Sequence, residues 1–200
     1  MEEIVSALEE LDRNDEIKVI IMRGNDKSFC YGIDMQEFND FVNKLPELWD
    51  IYRDLFVRLN RIKKLLIAEA AGYSIGFGIE IMLNCDIVIA AESLCLGIPE
   101  ASLGIIPGLG LSKTLEKVIG KGKAMDMILC SRAMIAEEAE SVGLVSRIVP
   151  LTELSSETEK TAAKIAELPL ATIIAIKENI TSLAKAEYES GIDETVERKR

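Results

Sequence analysis

Glu80 and Glu100 stand out as the residues whose surroundings suit acid–base chemistry. Glu80 closes the stretch Gly72-Tyr-Ser-Ile-Gly-Phe-Gly-Ile-Glu80, in which an apolar strand runs into a glycine-rich turn. A helix is expected to begin at about residue 76, and the N–H groups at such a start, aided by the helix dipole, favour negative charge. Glu80 lies three positions after Phe77 and so shares its helix face, one turn in. Helical side chains lean toward the N-terminus, which brings the Glu80 carboxylate back toward that anion-friendly end. Twenty residues on, Pro99-Glu100 follows a short expected strand and precedes a second glycine-rich loop, Gly104-Ile-Ile-Pro-Gly108-Leu-Gly110. Two carboxylates beside backbone amides can transfer protons next to a developing oxyanion. The same pattern also fits two solvated glutamates at the ends of elements.

The composition narrows the alternatives. The chain has 200 residues, 48% of them hydrophobic, enough for a packed core and too apolar for long disorder. Histidine is absent, which removes Ser-His-Asp and Cys-His hydrolysis and His-ligated zinc. Acidic residues outnumber basic ones 34 to 23, a formal charge of −11, so nucleic acid and anionic membranes are poor partners. The cysteines Cys30, Cys85, Cys95 and Cys130 form no CxxC pair, and free structural thiols point to a reducing, cytoplasmic setting. Met1-Glu2-Glu3 has the wrong charge for a signal peptide, and no apolar run is long enough to span a bilayer. Gly76-Phe-Gly78 and Gly108-Leu-Gly110 lack the third glycine of a dinucleotide fingerprint, and Gly120-Lys-Gly-Lys123 reads as a turn between helices.

The elements that must hold the glutamates follow from periodicity. Helices are expected over residues 3–12, from Pro46 through Ile62, and over roughly 110–119, 122–130, 136–142, 151–167 and 170–188. Met35–Val42 reads as a helical turn or two, and residues 27–34 as loop. Strands are expected at Lys18–Met22, Leu65–Ala70, Cys85–Ala91, Leu94–Gly97 and Leu144–Val149, with Gly143 as a helix C-cap before the last. Strands alternating with helices indicate an α/β fold with parallel pairing, and the change to nearly pure helix near residue 150 marks a boundary. Residues 1–150 are therefore expected as an α/β core and 151–200 as a helical C-terminal region.

Four motifs follow one another in order: Ser28-Phe-Cys-Tyr-Gly-Ile-Asp34, then Ala71–Glu80 with Cys85-Asp-Ile87, then Leu96–Glu100 with Leu103–Gly108, and finally Ala136–Val149. Together they resemble the motifs of the enoyl-CoA hydratase/isomerase (crotonase) family. The resemblance implies a crotonase-like spiral of ββα units with a helical C-terminal part that assembles trimers or dimers of trimers. It implies acyl-CoA thioester substrates, no cofactor or metal beyond the coenzyme A of the substrate itself, and an oxyanion hole of two backbone N–H groups. Those donors fall on Ile33 and Phe77, with Cys30, Gly32, Asp34, Gly76 and Gly108 bordering the substrate. Glu80 would activate water for attack at C3, Glu100 would deliver the proton to C2, and Gly108 would leave room for the water. With both glutamates present, the implied activity is hydration of trans-2-enoyl-CoA; the alternatives are a Δ3-Δ2 enoyl-CoA isomerase and a non-catalytic acyl-CoA-binding protein.

Against the family pattern, Tyr31 replaces a small residue, Ala71 stands where Asn is usual, Glu69 puts a charge in an apolar strand and Leu111 replaces a glycine. Phe77 occupies a position usually held by Gly or Ala. Lys27, beside the first loop, is a candidate for the coenzyme A phosphates, but a solvated surface lysine is the better reading. The family's first strands would precede residue 1 and its last helical segment would follow residue 200.

Overall fold

The structure, a computed structural model, describes residues 1–34, 45–108 and 110–181, and for residues 45–50 the backbone alone. Strands come in consecutive pairs, one member for each of two sheets. The pairs are β1 (Val19–Arg23) with β2 (Ser28–Cys30), β3 (Leu65–Ala70) with β4 (Tyr73–Ile75), and β5 (Ile87–Ala91) with β6 (Cys95–Gly97). A helix follows each: α2 (Leu45–Asn60), α3 (Phe77–Leu83) and, after a short 3-10 turn, α4 (Leu111–Ile119); α1 (Glu2–Arg13) precedes them all. The first sheet has the order β1-β3-β5-β8 and the second β2-β4-β6-β7, where β7 is Met134–Ile135 and β8 Arg147–Val149. All pairings are parallel except β6 with β7. The chain thus winds as repeated ββα units, the spiral implied by the resemblance.

Burial explains why these segments form strands and helices. β3 is fully flanked in its sheet and reads Leu-Leu-Ile-Ala-Glu-Ala, an almost unbroken apolar run of the kind a two-sided parallel sheet needs. Its one charge, Glu69, is 9% exposed and sits directly opposite Arg23 of β1, whose guanidinium approaches it at 3.4 Å. One core lies between α1, α2 and the first sheet and is built from Val5, Leu8, Phe56, Leu59 and Leu66. A second fills the space among α3, α4 and α5 (Lys121–Leu129), with Leu96, Leu111, Leu115 and Met127. In α4, Leu111, Leu115 and Ile119 recur every fourth residue and form its buried stripe. α6 (Ala136–Ser141) leads into β8, and α7 (Leu154–Ala166) covers the outer face of the first sheet against Ile67 and Ile89. α8 spans residues 170–181.

Several expectations change. Residues 27–34 are not all loop, because Ser28–Cys30 pair with β4. β4 and β7 are strands where only turn or connection was expected. The strands expected at Cys85–Ala91 and Leu144–Val149 begin later, at Ile87 and Arg147. A three-residue ladder strand is too short to display a period of two, so tertiary pairing alone creates it. The helical turns expected over Met35–Val42 and the end of the helix expected over 170–188 lie outside the described residues.

Candidate active site

Parallel pairing of β2, β4 and β6 makes all three strands end at one edge of the second sheet. That edge receives Gly32, Ile33 and Asp34 after β2, Gly76 and Phe77 after β4, and Pro99 and Glu100 after β6. Crevices beyond the carboxyl ends of parallel strands are the usual binding places of α/β sheets. Residues separated by more than sixty positions in the chain therefore become neighbours through three short strands.

Three glycines fix the spacing. Gly32 has φ +81°, and a Cβ there would lie 2.7 Å from the Ile75 carbonyl oxygen and 3.7 Å from the Phe77 nitrogen. The β2 loop is thereby laid against the start of α3. Gly78 packs on the same loop, since a Cβ on it would come within 2.4 Å of the Cys30 carbonyl oxygen. Gly76 has φ +53°, donates its N–H to the Gly97 carbonyl at 2.9 Å, and lies beneath the Glu100 carboxylate. A Cβ at Gly76 would meet Glu100 Oε1 at 2.2 Å. Any side chain here would displace that carboxylate, besides being strained.

Glu80 is 1% exposed on α3, and its Oε2, like that of Glu100, is sealed from solvent. The glutamates are therefore not solvated ends of elements. Glu100 is half-buried at the head of a 3-10 turn, Glu100–Leu103, that Gly104 closes with φ +74°. Phe77, not residue 76, is the first residue of α3, and the first N–H groups of a helix point out of its end. Its ring stacks on Tyr52 of α2 at 5.2 Å between centroids and tilts against Phe56 at 5.9 Å. Spacing along the chain alone does not link α2 to the site. A helical aromatic stripe facing another helix was the available signal.

The remaining expected residues are less tightly joined. Cys30 is half-buried, and its sulfur accepts the Gly32 N–H at 3.4 Å. Asp34 is exposed at the end of the described loop. Gly108 is buried in the loop leading to α4, its carbonyl accepting the Leu111 N–H at 2.9 Å. Tyr31 and Tyr73 are exposed and stack at 6.0 Å, beside an exposed Lys27. All four cysteines are free; burial pushes the Cys85 thiol up to about 12, out of reach of neutral-pH chemistry.

Comparison with known proteins supplies the lineage of this geometry. A profile of the enoyl-CoA hydratase/isomerase family matches residues 1–197. The chain belongs to that family. It is 38% identical over 192 residues to a Mycobacterium bovis protein named "Probable enoyl-CoA hydratase echA8", covering 96% of this chain and 74% of the relative. The crystal structure titled "Enoyl-CoA Hydrates Subunit I" from Geobacillus kaustophilus HTA426 superposes with a TM-score of 0.84 at 32% identity, covering 96% of this chain and 76% of that one. The enoyl-CoA hydratase structure from Bacillus anthracis gives 0.81 at 30% identity, over 98% and 80% of the two chains. Crotonase-fold membership thus accounts for the two-sheet spiral and for the sheet edge at which β2, β4 and β6 end. No helix among the described residues is long and apolar enough to cross a membrane.

Proposed function

We propose that this protein hydrates trans-2-enoyl-CoA thioesters to 3-hydroxyacyl-CoA. The observation that carries the reading is the juxtaposition at Gly76: the Glu100 carboxylate lies over the turn that opens α3, and Glu80, buried on that helix, follows one turn later. Adding water across a conjugated double bond needs a base for the water and an acid for C2, and a chain without histidine has carboxylates for both tasks. In this reading Glu80 takes the water proton as oxygen attacks C3. Charge builds as an enolate on the thioester oxygen, where the backbone N–H groups of Ile33 and Phe77 receive it. Glu100 then protonates C2. The approach of Gly32 to the Phe77 nitrogen supports this pairing of donors, because it holds the two segments side by side. Cys30, Gly32, Asp34 and Gly76 border the substrate, and Gly108 shapes the space for water.

Proton transfer and polarisation suffice for this addition, so the reading calls on coenzyme A only as part of the substrate. The reading includes a cytoplasmic setting and a homotrimer or dimer of trimers, with residues 1–150 as the catalytic core and 151–200 as the assembly region. Loss of the conjugated thioester absorbance when the protein is mixed with crotonyl-CoA tests the activity. Binding without loss of that band overturns hydration. Movement of the double bond of a 3-enoyl-CoA without hydration replaces it with isomerisation.

A further inference from the structure

Phe77 carries two functions on one residue in the reading above: its N–H faces the thioester oxygen, so its ring must lie within a few ångströms of the acyl group. Other groups crowd the start of α3: a Cβ on Gly32 would lie 3.7 Å from the Phe77 nitrogen, the Glu100 carboxylate covers the neighbouring Gly76, and Glu80 follows one turn along the helix. The Phe77 side chain itself packs toward α2. There the Phe77 ring is stacked on Tyr52 at 5.2 Å with 30° between planes, and tilted against the fully buried Phe56 at 5.9 Å. Phe56 belongs to the core under α2 together with Leu55, Leu59 and Ile81, so the ring trio is anchored rather than free to fold away. Gly78 cannot shift to relieve it either, because the helix start is pressed on Cys30. Aromatic pairs in such offset and tilted arrangements hold each other beyond simple area burial.

We propose that the Phe77 ring, backed by Tyr52 and Phe56, closes the α2 side of the acyl site and restricts this enzyme to short acyl chains. The inference rests on the hydratase reading for the position of the thioester, but it concerns chain length alone. Tyr52 is a positioning residue in it, since it acts by holding the Phe77 ring. A wall that a chain must displace discriminates by exclusion; each methylene that fits or fails to fit a pocket is worth on the order of tenfold or more.

Calorimetric binding of butyryl-CoA and octanoyl-CoA tests this without requiring turnover. The native protein is expected to favour butyryl-CoA by about tenfold or more. Phe77→Ala is expected to raise the octanoyl-to-butyryl affinity ratio by about tenfold, and Tyr52→Ala to raise it by a smaller factor. Tyr52→Phe keeps the ring and is expected to restore the native ratio. Each ratio compares two ligands on one preparation, so a partly unfolded variant does not disturb it. Equal affinity of the native protein for both ligands, or a ratio unmoved by Phe77→Ala, overturns the chain-length proposal and leaves the hydratase reading intact. Failure of both ligands to bind overturns both readings.

Discussion

Gly76 answers to two constraints at once, a left-handed backbone and a carboxylate where its Cβ would stand. Gly76→Ala is therefore expected to push Glu100 out of position and lower crotonyl-CoA hydration by about 10² while circular dichroism stays native, since a general acid contributes about 10²–10⁴. Glu80→Gln and Glu100→Gln should each cost about 10² or more in the same assay. The double variant should be little worse than either single one, because groups acting on one water behave as a unit. Near-native hydration by Glu80→Gln would falsify the assignment. Phe77 is the first residue of α3, a position where proline fits a helix; the substitution removes the N–H together with the ring, whereas glycine removes the ring alone. Phe77→Pro is thus expected to cost about 10²–10³ in turnover, the usual loss for an oxyanion donor, whereas Phe77→Gly keeps the donor. Equal damage from both would locate the effect in packing instead.

Charged groups tie down the helices of the C-terminal half of the chain. Lys177 of α8 is 7% exposed; its Nζ donates to Asp86 Oδ2 at 2.7 Å and to the Lys64 carbonyl at 2.8 Å. The same Asp86 oxygen accepts the Leu66 N–H at the start of β3. Lys177→Met leaves that carboxylate without its cation, and breaking one side of a buried pair costs about 3–5 kcal/mol. Urea denaturation is expected to show a loss in that range; an unchanged midpoint would mean that α8 is held by its apolar contacts alone. At the α5–α6 junction, Arg132 and Lys123 hold Glu138, and the Arg132 hydrogen bonds draw its carboxyl down to about 2 from an ordinary 4.5. A depressed carboxyl adds stability that is complete above its ordinary value and is lost as pH falls from about 4.5 toward 2. Glu138→Gln should flatten the acid-denaturation curve in that window, measured by tryptophan fluorescence or circular dichroism, with the slope above pH 5 unchanged.

At the scale of the whole molecule, α8 leaves Ile176 and Ile180 50% and 75% exposed, while Ile173 is buried. Ile106, Met125 and Leu129 add a second exposed apolar area around a cavity of about 500 Å³. Apolar patches of this kind on a folded protein mark contact surfaces. Light scattering is expected to give a trimer or a multiple of it, and a folded monomer at micromolar concentration would remove assembly from the proposal. Much of the molecule was open to sequence reading. α4, α7 and β3 carry their own pattern, because a buried stripe or a two-sided strand dictates residue types at a fixed local period. Gly120 and Gly143 marked helix ends for the same local reason, both adopting positive φ where a side chain is strained. The glutamates and glycines of the site were legible as motifs, since close approach of backbone and carboxylate leaves room for few residue types. Three things lay beyond local pattern. β2, β4 and β7 owe their existence to partners from distant segments, not to any period of their own. Glu69 read as an anomaly until the register set Arg23 across from it. The aromatic backing of Phe77 by α2 required the helix to be packed in three dimensions, for stacking depends on where two faces meet, and spacing along one chain fixes only which residues share a face.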